Sequence, residues 1–174
     1  YNLSGPSSVY NSLKDSENTS RQILNIFDNL TEALIKNNQF PNFFQASSSE
    51  MFGNISSTFL DESSEFNPNS PYAVSKLENH YKALELNKNY NWPIKSGILF
   101  NHESEFRNKD YLIMKLISSA FKIQKGEIKY LELGSLSYIR DWSFAGDTIN
   151  AIYEITNNGS LSHYVIGTGV EKSI

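Results

Sequence analysis

The sequence contains no cysteine. That excludes disulfides, thiolate metal sites and a cysteine nucleophile. It has no run of basic residues and a net charge of −4, which argues against a nucleic-acid or anionic-membrane binder. No apolar stretch approaches the ~20 residues that cross a bilayer, and the first residues carry no signal-peptide pattern. No Gly-x-Gly-x-x-Gly or Gly-x-x-Gly-x-x-Gly loop is present. Gly167-Thr168-Gly169 comes too late in the chain to open a phosphate-binding helix. His80, His102 and His163 lie far apart, and Phe106 stands four positions after His102 where a zinc helix needs histidine. No metal is expected.

What remains is an ordinary globular composition. The 174 residues are 39% hydrophobic and 20% charged, enough for one domain with a sizeable core. The chain starts at Tyr1 rather than Met, and Tyr1-Asn2-Leu3 reads as the end of a buried strand. We therefore expect an internal fragment.

Helical and extended patterns alternate. A helix is predicted over Ser7 to Lys14. A second, capped by Ser20, carries Ile23, Phe27, Leu30 and Leu34 at helical period. Asn42 to Ala46 reads as a buried strand and Gly53 to Asn69 as a polar loop. A third helix follows, with Ala73, Leu77, Tyr81 and Leu84 as its expected buried stripe. Ile94 to Phe100 is a second strand, and about Asp110 to Lys125 an amphipathic helix. Ile128 to Leu133 is expected to be a strand and Ser135 to Asp141 a loop. A helix from Ala145 to Thr156 and a strand at Tyr164 to Ile166 complete the series. This alternation predicts an α/β fold with a parallel sheet and helices on both faces.

The most informative stretch is Asn69-Ser70-Pro71-Tyr72-Ala73-Val74-Ser75-Lys76. Ser70 suits an N-cap and Pro71 the first helical position. Tyr72 and Lys76 are four apart and share one helix face. The helix dipole and the lysine are expected to favour phenolate, making Tyr72 a base for a sugar or alcohol hydroxyl. Ser47-Ser48-Ser49-Glu50 follows an apolar run, as a strand end would, and open α/β sheets place their ligands at such ends.

These residues resemble the extended short-chain dehydrogenase/reductase family, and within it the GDP-mannose 4,6-dehydratases. The likeness runs through Tyr1-Asn2-Leu3, Phe44-Gln45-Ala46-Ser47 with Ser49-Glu50 and Gly53, and Ser70-Pro71-Tyr72-Ala73 with Lys76-Leu77. It continues through Gly97-Ile98-Leu99-Phe100-Asn101-His102-Glu103-Ser104, Leu133-Gly134 and Arg140-Asp141-Trp142, with Ala145, Asp147 and Ala151. The Gly97 to Ser104 run is the most specific of these.

The resemblance implies a partial Rossmann-like doubly wound parallel sheet with the start of a smaller substrate-binding region. Residues 1–104 would belong to the NAD(P)-binding domain, and 105–174 to substrate-binding elements with the remaining strand. It implies a redox-neutral hydro-lyase that converts GDP-mannose to GDP-4-keto-6-deoxymannose by internal hydride transfer through NADP, with NAD possible. Tyr72 matches the base for the 4-hydroxyl and Lys76 the lysine that holds the nicotinamide ribose. Glu50 matches the glutamate that takes the C5 proton, and Ser48 stands where the family usually has threonine. Leu3, Ser4, Gly5, Ser7, His102 and Arg107 match cofactor contacts. Asn101, Lys115 and Arg140 match nucleotide-sugar contacts.

Two stretches depart from the family. Pro6 and Ser8 replace the usual glutamine or glutamate and histidine. Glu105-Phe106-Arg107-Asn108 replaces Pro-Arg-Arg-Gly, with one arginine lost from a loop that often reaches a neighbouring subunit. A cytoplasmic homo-oligomer, without nucleic-acid or membrane partners, is the expected full-length form. Another nucleotide-sugar epimerase or reductase, or a catalytically silent Rossmann scaffold, is the alternative. The 174-residue segment by itself is expected neither to bind NADP tightly nor to turn over. Titration calorimetry on the purified segment checks this, and tight binding would contradict it.

Overall fold

In the computed structural model the described residues are 1–54, 59–134 and 139–173. Helix α1 (Val9–Lys14) is capped by Ser8, whose side chain accepts from the Asn11 amide. Helix α2 (Ser16–Lys36) follows at once. Its N-cap is Asp15, not Ser20, because the Asp15 carboxylate accepts from the Asn18 amide. A carboxylate at a helix start also meets the positive end of the dipole.

Strand β1 (Phe43–Ser48) runs into a short 3-10 turn (Ser49–Phe52). Helix α3 (Pro71–Tyr90) begins as predicted, with the Ser70 hydroxyl accepting from the Ala73 amide and Pro71 in the first turn. Strands β2 (Ile94–Leu99) and β3 (Asn101–Glu103), helix α4 (Leu112–Gln124), strand β4 (Ile139–Phe144), helix α5 (Ala145–Asn158), and strands β5 (His163–Ile166) and β6 (Glu171–Ser173) complete the order.

The main sheet is parallel, ordered β1-β2-β5, with Ser48 opposite Leu99 and Leu99 opposite Ile166. Asn2 adds a parallel bridge on the outer side of β1, opposite Gln45. A smaller sheet orders β3-β4-β6, with β6 antiparallel.

Successive residues of β1 point to opposite faces, and both faces are covered. Phe43 packs with Phe27 of α2, Ala83 of α3, Trp92 and Ile94. Phe44 and Ala46 pack on the other face with Ile152 of α5. This is the doubly wound arrangement the alternation predicted. All six β1 residues are buried although three are serine or glutamine. Their polar groups are bonded: Gln45 Oε1 accepts from Asn2 at 2.7 Å, and Ser47 shares a 2.9 Å bond with Ser96.

Three expectations need correction, and one element was not expected. The buried face of α3 is Tyr72, Ala73, Ser75, Lys76, Asn79, His80 and Ala83, while Tyr81 is 54% exposed. Hydrophobicity misled here because the interior face is largely polar. Asn79 donates to the Ile23 carbonyl at 2.9 Å, and His80 bonds Ser96 at 2.8 Å. Residues 128–133 form no strand; they are coil on the surface. Residues 139–141, expected in a loop, begin β4 and pair with β6. The rest of that expected loop, 135–138, lies outside the described residues. β6 was not foreseen, since an exposed Glu-Lys-Ser triplet has no strand signal.

Gly53 closes the 3-10 turn with φ +66, and a Cβ there would run into the Asn67 carbonyl. Both the left-handed backbone and this close approach require glycine. Gly53→Ala should therefore cost about 3 kcal/mol, combining the left-handed and overpacking penalties. Gly126 shares a positive φ of +73 but faces open space, so Gly126→Ala should cost only about 1 kcal/mol. Denaturant unfolding of the two variants measures the difference.

Candidate active site

The C-terminal ends of β1 and β2 open into a cavity of about 460 Å³. Each element brings a side chain for a local reason. β1 ends at Ser48, whose hydroxyl accepts from the Glu50 amide at 3.3 Å and caps the 3-10 turn. That turn carries Glu50 into the cavity wall. The capped start of α3 places Tyr72 in the first turn, and Lys76 follows one turn later on the same face.

The Lys76 ammonium donates to the Ala46 carbonyl at 3.1 Å, which ties α3 to β1. Lys76 is only 6% exposed. Burial lowers its pKa to about 8. Its Nζ lies 5.8 Å from the centre of the Tyr72 ring. The Ser48 hydroxyl also lies on the same cavity wall as Tyr72.

The Tyr72 pKa is raised from its ordinary value, contrary to the expected depression. Burial is the main cause, and the charges of Glu50 and Tyr111 add to it. Ser48 and Arg107 pull the other way. The expectation failed because it counted the helix terminus and the lysine but not desolvation of an 8%-exposed phenol. Tyr72 is thus a phenol at neutral pH in the ligand-free protein.

The opposite wall comes from β3 and the turn after it. His102 Nδ1 donates to the Phe100 carbonyl at 3.0 Å, which leaves Nε2 as the acceptor. Arg107 stacks on the Tyr111 ring, its guanidinium carbon 3.8 Å from the centroid. Arg107 Nε stands 3.3 Å from Glu103 Oε2. The pair is within ion-pair range but short of hydrogen-bond geometry, since both atoms are buried without a hydrogen-bond partner.

Ten of the sequence-selected residues line this one cavity: Leu3, Ser7, Ser48, Glu50, Tyr72, Lys76, Asn101, His102, Arg107 and Arg140. Three do not. Ser4 is held on the Asn2 side chain by its amide at 3.3 Å, and Gly5 turns with φ +114 against Ile23 and Ile26. Lys115 is exposed and donates to the Glu132 carbonyl at 3.3 Å. Sequence reasoning gave no role to Glu103 or Tyr111. Their signal was available, because Glu103, Arg107 and Tyr111 recur every four residues. Among the described residues no group of His, Asp or Glu is placed to hold a metal.

A sheet whose strand ends gather a serine, a tyrosine and a lysine defines a Rossmann-type α/β domain with a polar cleft at its C-terminal edge. The comparisons with known proteins agree. The profile of the family described as "GDP-mannose 4,6 dehydratase" matches residues 1–174. The Drosophila melanogaster GDP-mannose 4,6 dehydratase is 35% identical over 178 residues, covering 100% of this chain and 45% of that protein. The Homo sapiens GDP-mannose 4,6 dehydratase is 35% identical over 132 residues, covering 76% of this chain and 36% of that protein. Among solved structures, RMD from Pseudomonas aeruginosa complexed with NADPH superposes with a TM-score of 0.92 at 24% identity, covering 99% of this chain and 60% of that one. The chain belongs to the GDP-mannose 4,6-dehydratase family. It spans less than half the length of these two curated relatives.

Burying the Lys76 ammonium has a stability cost. Its folded pKa of about 8 lies below the unfolded value of 10.5. Below pH 8 both states carry the proton and the full cost applies. As pH rises from 8 to 10.5 the folded state sheds its proton first, so the cost fades. Lys76→Met should therefore raise stability at pH 7 by about 1–2 kcal/mol, after allowing for the lost hydrogen bond. The gain should shrink toward pH 10.5. Denaturant unfolding across this range tests it.

Proposed function

We propose that the full-length protein is a nucleotide-sugar dehydratase that converts GDP-mannose to GDP-4-keto-6-deoxymannose through bound NADP, or NAD. The observation that carries this reading is the convergence of Ser48, Glu50, Tyr72 and Lys76 on one cavity. A reductase or epimerase needs the hydroxyl–tyrosine–lysine part. The acid on the same wall suits a reaction that also breaks a C–H bond beside a carbonyl.

The cavity's chemistry fits the cofactor's nicotinamide end. The Lys76 ammonium has three donors, and the Ala46 carbonyl takes one. Two remain for a vicinal diol such as ribose. The ribose also brings hydroxyls that replace lost water around the ammonium. Ser7, His102 and Arg107 offer further polar contacts from the same walls. Ser4 and Gly5 lie off the cavity, so we assign them to shaping the loop that presents Ser7. A bound nicotinamide cofactor supplies the hydride acceptor and returns the hydride within one turnover.

The residues of this chain supply the proton transfers. Tyr72 takes the proton of the sugar 4-hydroxyl, with Ser48 bonded to the same oxygen. Tyr72 must become phenolate to do so, although burial raises its pKa. The cations beside it, Lys76 and Arg107, favour that state. Glu50 then removes the C5 proton, which the 4-keto group acidifies, and returns a proton to the departing 6-hydroxyl. Arg140 and Asn101 also line the cavity, and a diphosphate and sugar would meet them there. A planar guanidinium suits a diphosphate. Lys115 is held outside by Glu132, so it would reach substrate only by leaving that carbonyl.

We assign residues 1–104 to the cofactor-binding side and 105–174 to substrate-facing elements plus β5. We also assign the protein to the cytoplasm as a homo-oligomer. Among the described residues no helix is long and apolar enough to cross a membrane.

The test uses the full-length protein, GDP-mannose and a trace of NADP, with product followed by mass. Loss of one water without net cofactor reduction is expected. Glu50→Gln should slow dehydration by about 10²–10⁴-fold. Conversion of another sugar nucleotide but not GDP-mannose would overturn the substrate assignment.

A further inference from the structure

Arg107 is an unusual wall residue. A free arginine samples many rotamers, yet this one is gripped on two sides. Its flat face lies on the Tyr111 ring at 3.8 Å. Its Nε edge faces Glu103 at 3.3 Å. The chain turns back twice to bring these groups together, by Arg107 N–H to the Ser104 carbonyl and Tyr111 N–H to the Asn108 carbonyl, both at 3.1 Å. Tyr111 then reaches across the cavity mouth, its hydroxyl 2.9 Å from that of Ser7.

We propose that Glu103 and Tyr111 are positioning residues: they clamp the Arg107 guanidinium in the cavity wall beside Tyr72, and through Ser7 they tie the two rims of the cavity together. The proposal rests on the reading of Tyr72 as the proton acceptor.

Glu103 and Arg107 depend on each other. The Glu103 side chain is 15% exposed and that of Arg107 29%. Burial raises the Glu103 pKa, and Arg107 and His102 counter it. Removing one partner leaves the other charge poorly solvated. The ionisable groups that face Tyr72 are Lys76 on its own helix, Glu50 on the 3-10 turn, and Arg107 and Tyr111 on the turn after β3. Glu50 and Tyr111 oppose the phenolate, and Arg107 supports it. An arginine that swings out to solvent gives that support up, because water screens its charge.

Direct and indirect roles of Glu103 therefore differ in sign. A carboxylate acting only through its own charge would disfavour phenolate, so Glu103→Gln would shift the tyrosine titration downward. A carboxylate that holds Arg107 in place does the reverse.

The test uses the full-length protein as wild type, Glu103→Gln, Arg107→Gln and Tyr111→Leu, with two readouts. The first is trypsin cleavage after Arg107, normalised to cleavage after the exposed Lys125. Glu103→Gln and Tyr111→Leu should each accelerate it at least tenfold. The second is the pH profile of kcat with GDP-mannose. Its acidic limb, along which Tyr72 must lose its proton, should move to higher pH in Glu103→Gln, in the same direction as in Arg107→Gln. An unchanged cleavage rate, or a limb that stays or moves down in an active enzyme, overturns the clamp. Should Glu103→Gln not fold, Tyr111→Leu is read in the same way. Absence of turnover in the wild type would refute the functional reading alone, and the proteolysis would still decide the clamp.

Discussion

The hydrogen bond from the Lys76 ammonium to the Ala46 carbonyl is the contact on which this site depends. It fixes the first turns of α3 against the end of β1. Ser48 and the Glu50 turn lie just beyond Ala46 on the strand. Tyr72 lies one helical turn before Lys76. One bond thus sets the distance between the strand-borne and helix-borne halves of the site. It is also costly, because the ammonium is nearly dry. Natural proteins hold such destabilising charges where function needs them. The depressed Lys76 pKa is the visible trace of that compromise.

The electrostatics of the cavity follow from the same burial. A low-dielectric pocket penalises phenolate and ammonium alike. The phenol is therefore not a ready base in the ligand-free protein. In the proposed reaction its activation would draw on nearby cations, and Lys76 and Arg107 would supply them from two different elements. The helix terminus alone does not suffice, since the Tyr72 pKa stays above its ordinary value.

Much of this was legible in the sequence, for identifiable reasons. Ser70 and Pro71 announced the start of α3, and the four-residue spacing of Tyr72 and Lys76 placed both on one face. Phe43 and Phe44 announced a strand buried on both sides. What escaped was chiefly polar and buried. Asn79 and His80 look like surface residues, yet both are about 1% exposed: Asn79 Nδ2 donates to the Ile23 carbonyl and His80 bonds Ser96, while Asn79 Oδ1 is buried without a hydrogen-bond partner. β4 was hidden by Arg140, Asp141 and Ser143, which line a small sheet rather than a loop. The raised Tyr72 pKa was invisible because desolvation depends on neighbours that sequence spacing does not supply.

In the proposed reaction, hydride departure, C5 deprotonation and hydride return would all take place in one cavity on a single sugar. The most direct measurement supplies the full-length protein with GDP-mannose deuterated at C4, in ordinary water, and locates the label in the product by NMR. The account predicts deuterium at C6 of the 4-keto-6-deoxy product, with none lost to solvent. Deuterium retained at C4, or washed out into water, would contradict it.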